Sequence, residues 1–246
     1  MAEREPRGLL VDFGGVLTTN IWASFDRFCD REGLERGTVL ELFRGDGEAL
    51  ALLRSLERGA VADHVFERDF AEMLGVEPEG LIERLFGGLR PERRMIDAVG
   101  SARAAGIRTG LITNSWGMGI YDRAPLDRFD ATVISGDVGL HKPQPEIYLL
   151  GAERIGVPAD RCVFVDDLRE NVAGAEAVGM AAILHRDPAT TIAGLERLLG
   201  LRLEPPPGRG GSEGPVRGAA APAPPRPRRR SGGSGRAKPG SSRRLD

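Results

Sequence analysis

Four short segments of this 246-residue chain bring together side chains able to handle a phosphoryl group. They are Asp12 in LLVDFGGVLTT, Thr113 and Asn114 in GLITNSW, Lys142 in LHKPQPEIY, and Asp166 with Asp167 in VFVDDLRENVAGAEAVGM. An aspartate that leaves an apolar run into a Gly-Gly turn has an exposed carboxylate and a backbone that a ligand can approach closely. Such a carboxylate can attack phosphorus, or it can simply cap the turn. The Thr113 hydroxyl and the amides after it can hydrogen-bond a phosphoryl oxygen, although a Thr-Asn pair also makes an ordinary turn. Lys142 is one of two lysines in a chain that otherwise uses arginine, and the other, Lys238, lies near the C-terminus. A compact ammonium can offset charge developing on phosphorus and hold two carboxylates together without arginine's planar fork. The alternative is a surface lysine ahead of a Pro-started helix. Asp166 and Asp167 end an apolar run, where adjacent carboxylates repel unless a cation balances them. Mg²⁺ suits that place, being a hard ion that takes one or two carboxylates and keeps waters for a phosphate. Helix N-capping accounts for one of the pair but not both. His64, His141 and His185 show no ligand spacing and read as surface or packing histidines.

Something must hold these pieces in register. Apolar runs at 9–11, 109–112, 132–134, 162–165 and 182–184, bounded by Gly, Asp or Asn, read as buried parallel strands. Between the later ones lie helical stretches such as PEIYLLGAERIG, with Pro145 in its first turn and Gly156 as its stop, and LRENVAGAEAVG, ended by Gly179. The alternation predicts an α/β fold with a doubly wound, Rossmann-like parallel sheet, which gathers its ligand groups at the C-terminal strand ends. Residues 21–90 break the rhythm, with helix-period spacing through FDRFCDREGL, TVLELFRG, EALALLRSLERG, DHVFERDFAEML and LIERLFGG. The expected division is a core of 8–20 and 91–203, a helical insertion of 21–90, and a tail of 204–246.

Charge is distributed unevenly. The tail carries ten basic residues against three acidic ones, and the first 203 residues carry 24 against 33. An acidic body disfavours a broad nucleic-acid surface, so no specific nucleic-acid partner is expected. The tail's Pro, Gly, Ser and Arg content cannot bury enough apolar area to order a chain, and its partner is left open. No apolar stretch approaches the length of a spanning helix, and the charged MAEREPRG start does not read as a secretion signal. Cys29 and Cys162 lack paired spacing and read as reduced core thiols of a cytoplasmic protein.

In this order, with a helical insert after the first, the four pieces resemble the signature motifs of the haloacid dehalogenase superfamily with a C1-type helical cap, over about residues 8–200. More narrowly, DFGGVL, TNSW, KPQPEIY and FVDDLRENVAGAEAVGM resemble the N-terminal phosphatase domain of soluble epoxide hydrolases and the related domain fused to some acyl-CoA dehydrogenases. The resemblance implies a Mg²⁺-dependent hydrolase of small phosphorylated metabolites working through an aspartyl-phosphate on Asp12. It implies Thr113 and Asn114 at the phosphoryl group, Lys142 steadying the nucleophile, and Trp116 with the 18–22 loop facing substrate. Asp12, the Gly14 carbonyl and Asp167 would ligate the metal, with Asp166 outer-shell or water-mediated. Trp22, Phe25, Arg44 and His64 are candidate cap side chains for substrate preference. One departure stands out: phosphatases of the superfamily usually carry a second aspartate two residues after the nucleophile, as general acid and base, and here that position is Gly14. Some phosphatase relatives share that glycine. Two other readings follow, a dehalogenase that attacks carbon without metal and a non-catalytic binder of phospho-ligands.

Overall fold

The computed structural model describes residues 7–114 and 128–203. Trp116 and the expected tail of 204–246 lie outside the described residues. The apolar runs form β1 (Gly8–Val11), β2 (Arg108–Thr113), β3 (Ala131–Ile134), β4 (Cys162–Asp166) and β5 (Ala181–Leu184). They make one parallel sheet, as the sequence pattern predicts, and its strand order is β3-β2-β1-β4-β5. β1 is the central strand, and all four residues of its GLLV are buried or flanked on both faces. A strand covered on both faces has no use for polar side chains, which is why the pattern is a continuous run rather than an alternation.

Successive residues of β1 still point to opposite faces. Leu9 and Val11 join Met95, Val99, Leu195 and Leu199 on one side, and Leu10 joins Ile112, Ile147, Tyr148 and Phe164 on the other. The first side is covered by α6 (Arg93–Ala104) and α10 (Pro188–Leu199), the second by α8 (Pro145–Ile155) and α9 (Arg169–Ala177). Gly156 terminates α8 in a left-handed conformation, as its position predicts. Three helices are not legible in the sequence pattern: α6, α10 and the four-residue helix Ser135–Val138. α6 hides because its buried stripe, Met95, Ala98, Val99 and Ala102, is half alanine and sits among arginines.

Between β1 and α6 lie five further helices: Ile21–Glu32, Thr38–Gly45, Gly47–Glu57, Asp63–Leu74 and Leu81–Phe86. In chain order from residue 21 the helices are therefore α1 to α5, then α6, α7 (Ser135–Val138), α8, α9 and α10. α1 to α5 bury a cluster of their own around Phe25, Phe28, Phe43, Phe66 and Phe70, with Phe43 stacked on Phe70 at 4.8 Å between ring centroids. The chain enters and leaves this block at adjacent points. Thr18 bridges Pro91, the Thr19 N–H donates to the Arg90 carbonyl at 2.8 Å, and the Glu92 N–H donates to the Leu17 carbonyl at 2.8 Å. Ser24 adds a tie within the block, donating to the Leu85 carbonyl at 2.7 Å and accepting from the Gly88 N–H at 3.1 Å.

α3 is capped by Asp46, whose carboxylate accepts from the Glu48 N–H at 2.7 Å and the Ala49 N–H at 3.2 Å. Removing that acceptor orphans helix N–H groups, so Asp46→Ala is expected to lower stability by about 1 kcal/mol in urea unfolding. Both cysteines are free and buried. Among the described residues no helix is long and apolar enough to cross a membrane.

Candidate active site

The strand order reverses at β1, since β2 and β3 lie on one side of it and β4 and β5 on the other. A crevice opens at such a point beyond the C-terminal strand ends. Asp12 leaves β1 there with its N–H donating to the Val165 carbonyl at 2.9 Å, and Asp166 is the last residue of β4. Between their carboxylates stands the Lys142 ammonium, 2.7 Å from Asp12 Oδ1 and 2.6 Å from Asp166 Oδ2. Its side chain is 1% exposed. Burial works to lower the ammonium's pKa, and the two carboxylates more than reverse it, so the group is held firmly protonated.

Lys142 precedes α8 and is brought to the crevice by Asn114, which follows β2. Asn114 Oδ1 accepts from the Lys142 N–H at 2.9 Å, and its Nδ2 donates to the Lys142 carbonyl at 3.2 Å. The Asn114 side chain thus braces the lysine's backbone from both ends. Thr113, 3% exposed, closes β2 on the same side of the sheet edge.

The two adjacent acids are not equivalent. Asp166 is fully buried, and besides Lys142 its oxygens accept from the Leu168 N–H at 2.9 Å and from Asn171 Nδ2 at 3.0 and 3.1 Å. Asn171 sits in the first turns of α9, and its only cue in the sequence is its place in RENVAGAEAVG. Asp167 stands half-buried in the crevice, and carboxylate oxygens of Asp12, Asp166 and Asp167 lie within 4.8 Å of one another. The loop after Asp12 presses against this group. A β-carbon at Gly15, whose φ is +74°, would stand 2.5 Å from Asp167 Oδ2, so both conformation and space require glycine there. Three carboxylates around a single ammonium leave an excess of negative charge. Burial pushes Asp12 up to about 7 against the pull of Lys142, and burial with the Asp166 charge pushes Asp167 up to about 6.

A cleft of about 410 Å³ opens above these groups. Asp12, Thr113, Asn114, Lys142 and Asp167 are among its polar lining, and Ile21, Trp22, Leu40, Phe43, Leu53 and Phe86 among its apolar lining. Of the four side chains suggested for substrate preference, Trp22 and Arg44 line the cleft. Phe25 is instead packed in the aromatic cluster, edge-on to Trp22 and Phe86, and His64 is exposed on α4. A further lining residue, Glu57 at the end of α3, had no signal in the sequence beyond its charge. Burial raises its carboxyl to about 7 against the pull of Lys142.

Residues 6–179, well over half of the chain, match the sequence model of the haloacid dehalogenase-like hydrolases. The chain belongs to that family. This haloacid dehalogenase-like hydrolase is 27% identical over 211 residues to acyl-CoA dehydrogenase family member 10 of Mus musculus, covering 81% of the present chain and 20% of the relative. It is 28% identical over 218 residues to bifunctional epoxide hydrolase 2 of Sus scrofa, covering 80% and 39%. It therefore spans between a fifth and two fifths of the length of those relatives. The sesquiterpene phosphatase astK of Aspergillus oryzae is 30% identical over 130 residues, covering 51% of this chain and 66% of that one. Among solved structures, a HAD-like family hydrolase from Porphyromonas gingivalis aligns with a TM-score of 0.65 at 24% identity, over 80% of this chain and 98% of that one. A HAD family enzyme from Bacteroides thetaiotaomicron, solved with magnesium and inorganic phosphate, aligns with a TM-score of 0.58 at 20% identity, over 74% and 94%.

Proposed function

We propose that this hydrolase cleaves phosphomonoesters through an aspartyl-phosphate on Asp12, in the presence of Mg²⁺, and that its substrates carry an apolar alcohol. One observation carries the reading: the nucleophile, the ammonium and Asp167 line a cleft most of whose remaining lining is aromatic and aliphatic. A phosphate would lie against Asp12, Thr113, Asn114 and Lys142, and the alcohol portion against Trp22, Leu40, Phe43 and Phe86. Arg44 on the cleft wall limits how purely apolar that portion is. The phosphatase names among the relatives, sesquiterpene phosphatase included, agree with this chemistry.

The donor set fits a divalent cation. Asp12, Asp166 and Asp167 bring three negative charges and Lys142 one positive charge, so Mg²⁺ would neutralise the group. Asp12, Asp167 and the Gly14 carbonyl would hold it directly. Asp166 would act from the outer shell or through water, because Lys142, Asn171 and the Leu168 N–H already engage its oxygens. Bound there, the ion supplies charge neutralisation for the phosphoryl oxygens. The protein's own groups do the rest. Lys142 keeps the Asp12 oxygen oriented and balances charge that builds up during attack, and Asn114 fixes Lys142 where it can do so.

Excess chelator is expected to reduce phosphate release from a panel of alkyl and isoprenoid phosphates to background, with recovery on adding Mg²⁺. Phosphate assay with and without chelator checks this. Halide release from a haloacid that persists in chelator would instead favour the metal-free dehalogenase reading. Metal and phosphate binding with no turnover of any ester would favour a non-catalytic binder.

A further inference from the structure

Gly14 holds no side chain that could move a proton, and the δ-methyl of Ile21 lies where a β-carbon would stand. A β-carbon at Gly14 would stand 2.4 Å from Ile21 Cδ1, and Ile21 opens α1 and lines the cleft. A side chain at that position would have to push the δ-methyl of Ile21 aside. With glycine at this position, an acid and base at the leaving oxygen would come from another wall of the same cleft.

Besides the carboxylates around Lys142, the cleft is lined by two acids, Glu57 and Glu170. Glu170 is exposed on α9, where water surrounds it. Glu57 is half-buried at the C-terminal end of α3, on the wall facing the sheet. Its position is fixed by backbone rather than by its own side chain: Ser135 Oγ, at the start of α7, donates to the Glu57 carbonyl, and Gly59 packs on Gly136. That pins the end of α3 to the sheet edge just beyond β3. The carboxylate itself has no hydrogen-bond or ion-pair partner among the described residues. A partly buried carboxylate left unpaired in a reaction cleft has its proton and lone pairs available for a ligand. The charges acting on it are the Arg54 and Arg58 guanidiniums on its own stretch of chain and the Lys142 ammonium across the cleft, with Arg44 of α2 and Asp12 and Asp167 on the same cleft lining.

We propose that Glu57 performs the proton transfers for which Gly14 has no group, an inference that rests on the phosphomonoester reading above. In the first half-reaction an Asp12 carboxylate oxygen bonds to phosphorus, the phosphorus–alcohol oxygen bond breaks, and the protonated Glu57 gives its proton to the departing oxygen. Glu57 is left as carboxylate. In the second, a water oxygen bonds to phosphorus while Glu57 takes one of its protons, and the phosphorus–Asp12 bond breaks. Inorganic phosphate leaves, Asp12 is again a carboxylate, and Glu57 is again protonated. Burial that favours the neutral acid suits the first step, and a value near 7 lets the same group serve as the base in the second.

Glu57→Gln preserves size and the Ser135 bond to the backbone, and the test compares two leaving groups in first-turnover kinetics of the full chain with Mg²⁺. With an alkyl phosphate, whose alkoxide leaves only when protonated, alcohol release by Glu57→Gln is expected to fall roughly 10²–10⁴-fold. With p-nitrophenyl phosphate, whose phenolate leaves unaided, the first release of nitrophenol should persist within a few-fold. Mass spectrometry should then find a phosphoryl adduct accumulating on Asp12, because its hydrolysis lacks a base. Equal loss on both esters, or no loss on either, overturns the assignment of Glu57. A wild-type protein inactive toward both esters would overturn the phosphomonoester reading itself, so the two failures are distinguishable.

Discussion

Asp12→Asn is expected to abolish phosphate release, with kcat/KM for any phosphomonoester reduced at least about 10⁴-fold. The amide is nearly isosteric and can still accept from Lys142, 2.7 Å away in the native protein, so the crevice should keep its shape. What is lost is nucleophilicity, since an amide oxygen does not form a mixed anhydride with phosphate. Circular dichroism and thermal unfolding should therefore change little while turnover disappears. Retained activity in the purified variant, free of wild-type contamination, would remove Asp12 from the mechanism. Retained metal and phosphate binding beside lost turnover would assign it as the attacking group.

Lys142→Met is expected to damage stability as well as activity. The native ammonium is 1% exposed and bonds to two carboxylates, one of them 0% exposed. Deleting one partner of a buried ionic group leaves the other charges without compensation, which typically costs about 3–5 kcal/mol. For a domain of this size that corresponds to a fall in Tm of about 6–20 °C in metal-free buffer. The methionine fills the stem's volume against Phe164, whose ring centroid is 5.6 Å from the native ammonium, so cavity formation does not explain the loss. Added Mg²⁺ should return part of the lost stability, because it supplies positive charge to the same carboxylates. A Tm within about 2 °C of wild type in metal-free buffer would contradict the view that this lysine holds the site together.

The residues that announce themselves in the sequence are those whose type is unusual for their surroundings. Lys142 stands out in a chain that uses arginine almost everywhere else, and the Asp166–Asp167 pair stands out at the end of VFV. The sheet was legible for a similar reason, because strands covered on both faces leave uninterrupted apolar runs. What stayed hidden depends on contacts between distant segments. Asn114 reads as a phosphate-side residue, yet its amide meets the backbone of a residue 28 positions away. Residue type alone does not separate Asp166 from Asp167, although the family resemblance does; in the fold Asn171 turns back on the first, and the second lines the cleft. Glu57 in SLERG looks like any solvated glutamate of a surface helix. Only the packing of α3 against α7 brings it over the crevice.

The paired crossings at Thr18–Pro91 and Leu17–Glu92 have a consequence for how such a chain can change. From the sheet's standpoint, everything between them is one long loop whose ends are already tied, and closing a longer loop adds little entropic penalty. The register of β1 against β2 and β4 does not depend on what the block contains. A different helical block joined at residues 18 and 91 would therefore leave Asp12, Lys142 and the acid pair where they are, while replacing Trp22, Arg44 and Glu57 together. Under the proposed mechanism, selectivity and proton supply would then be inherited as one transplantable module, separate from the groups proposed to attack phosphorus.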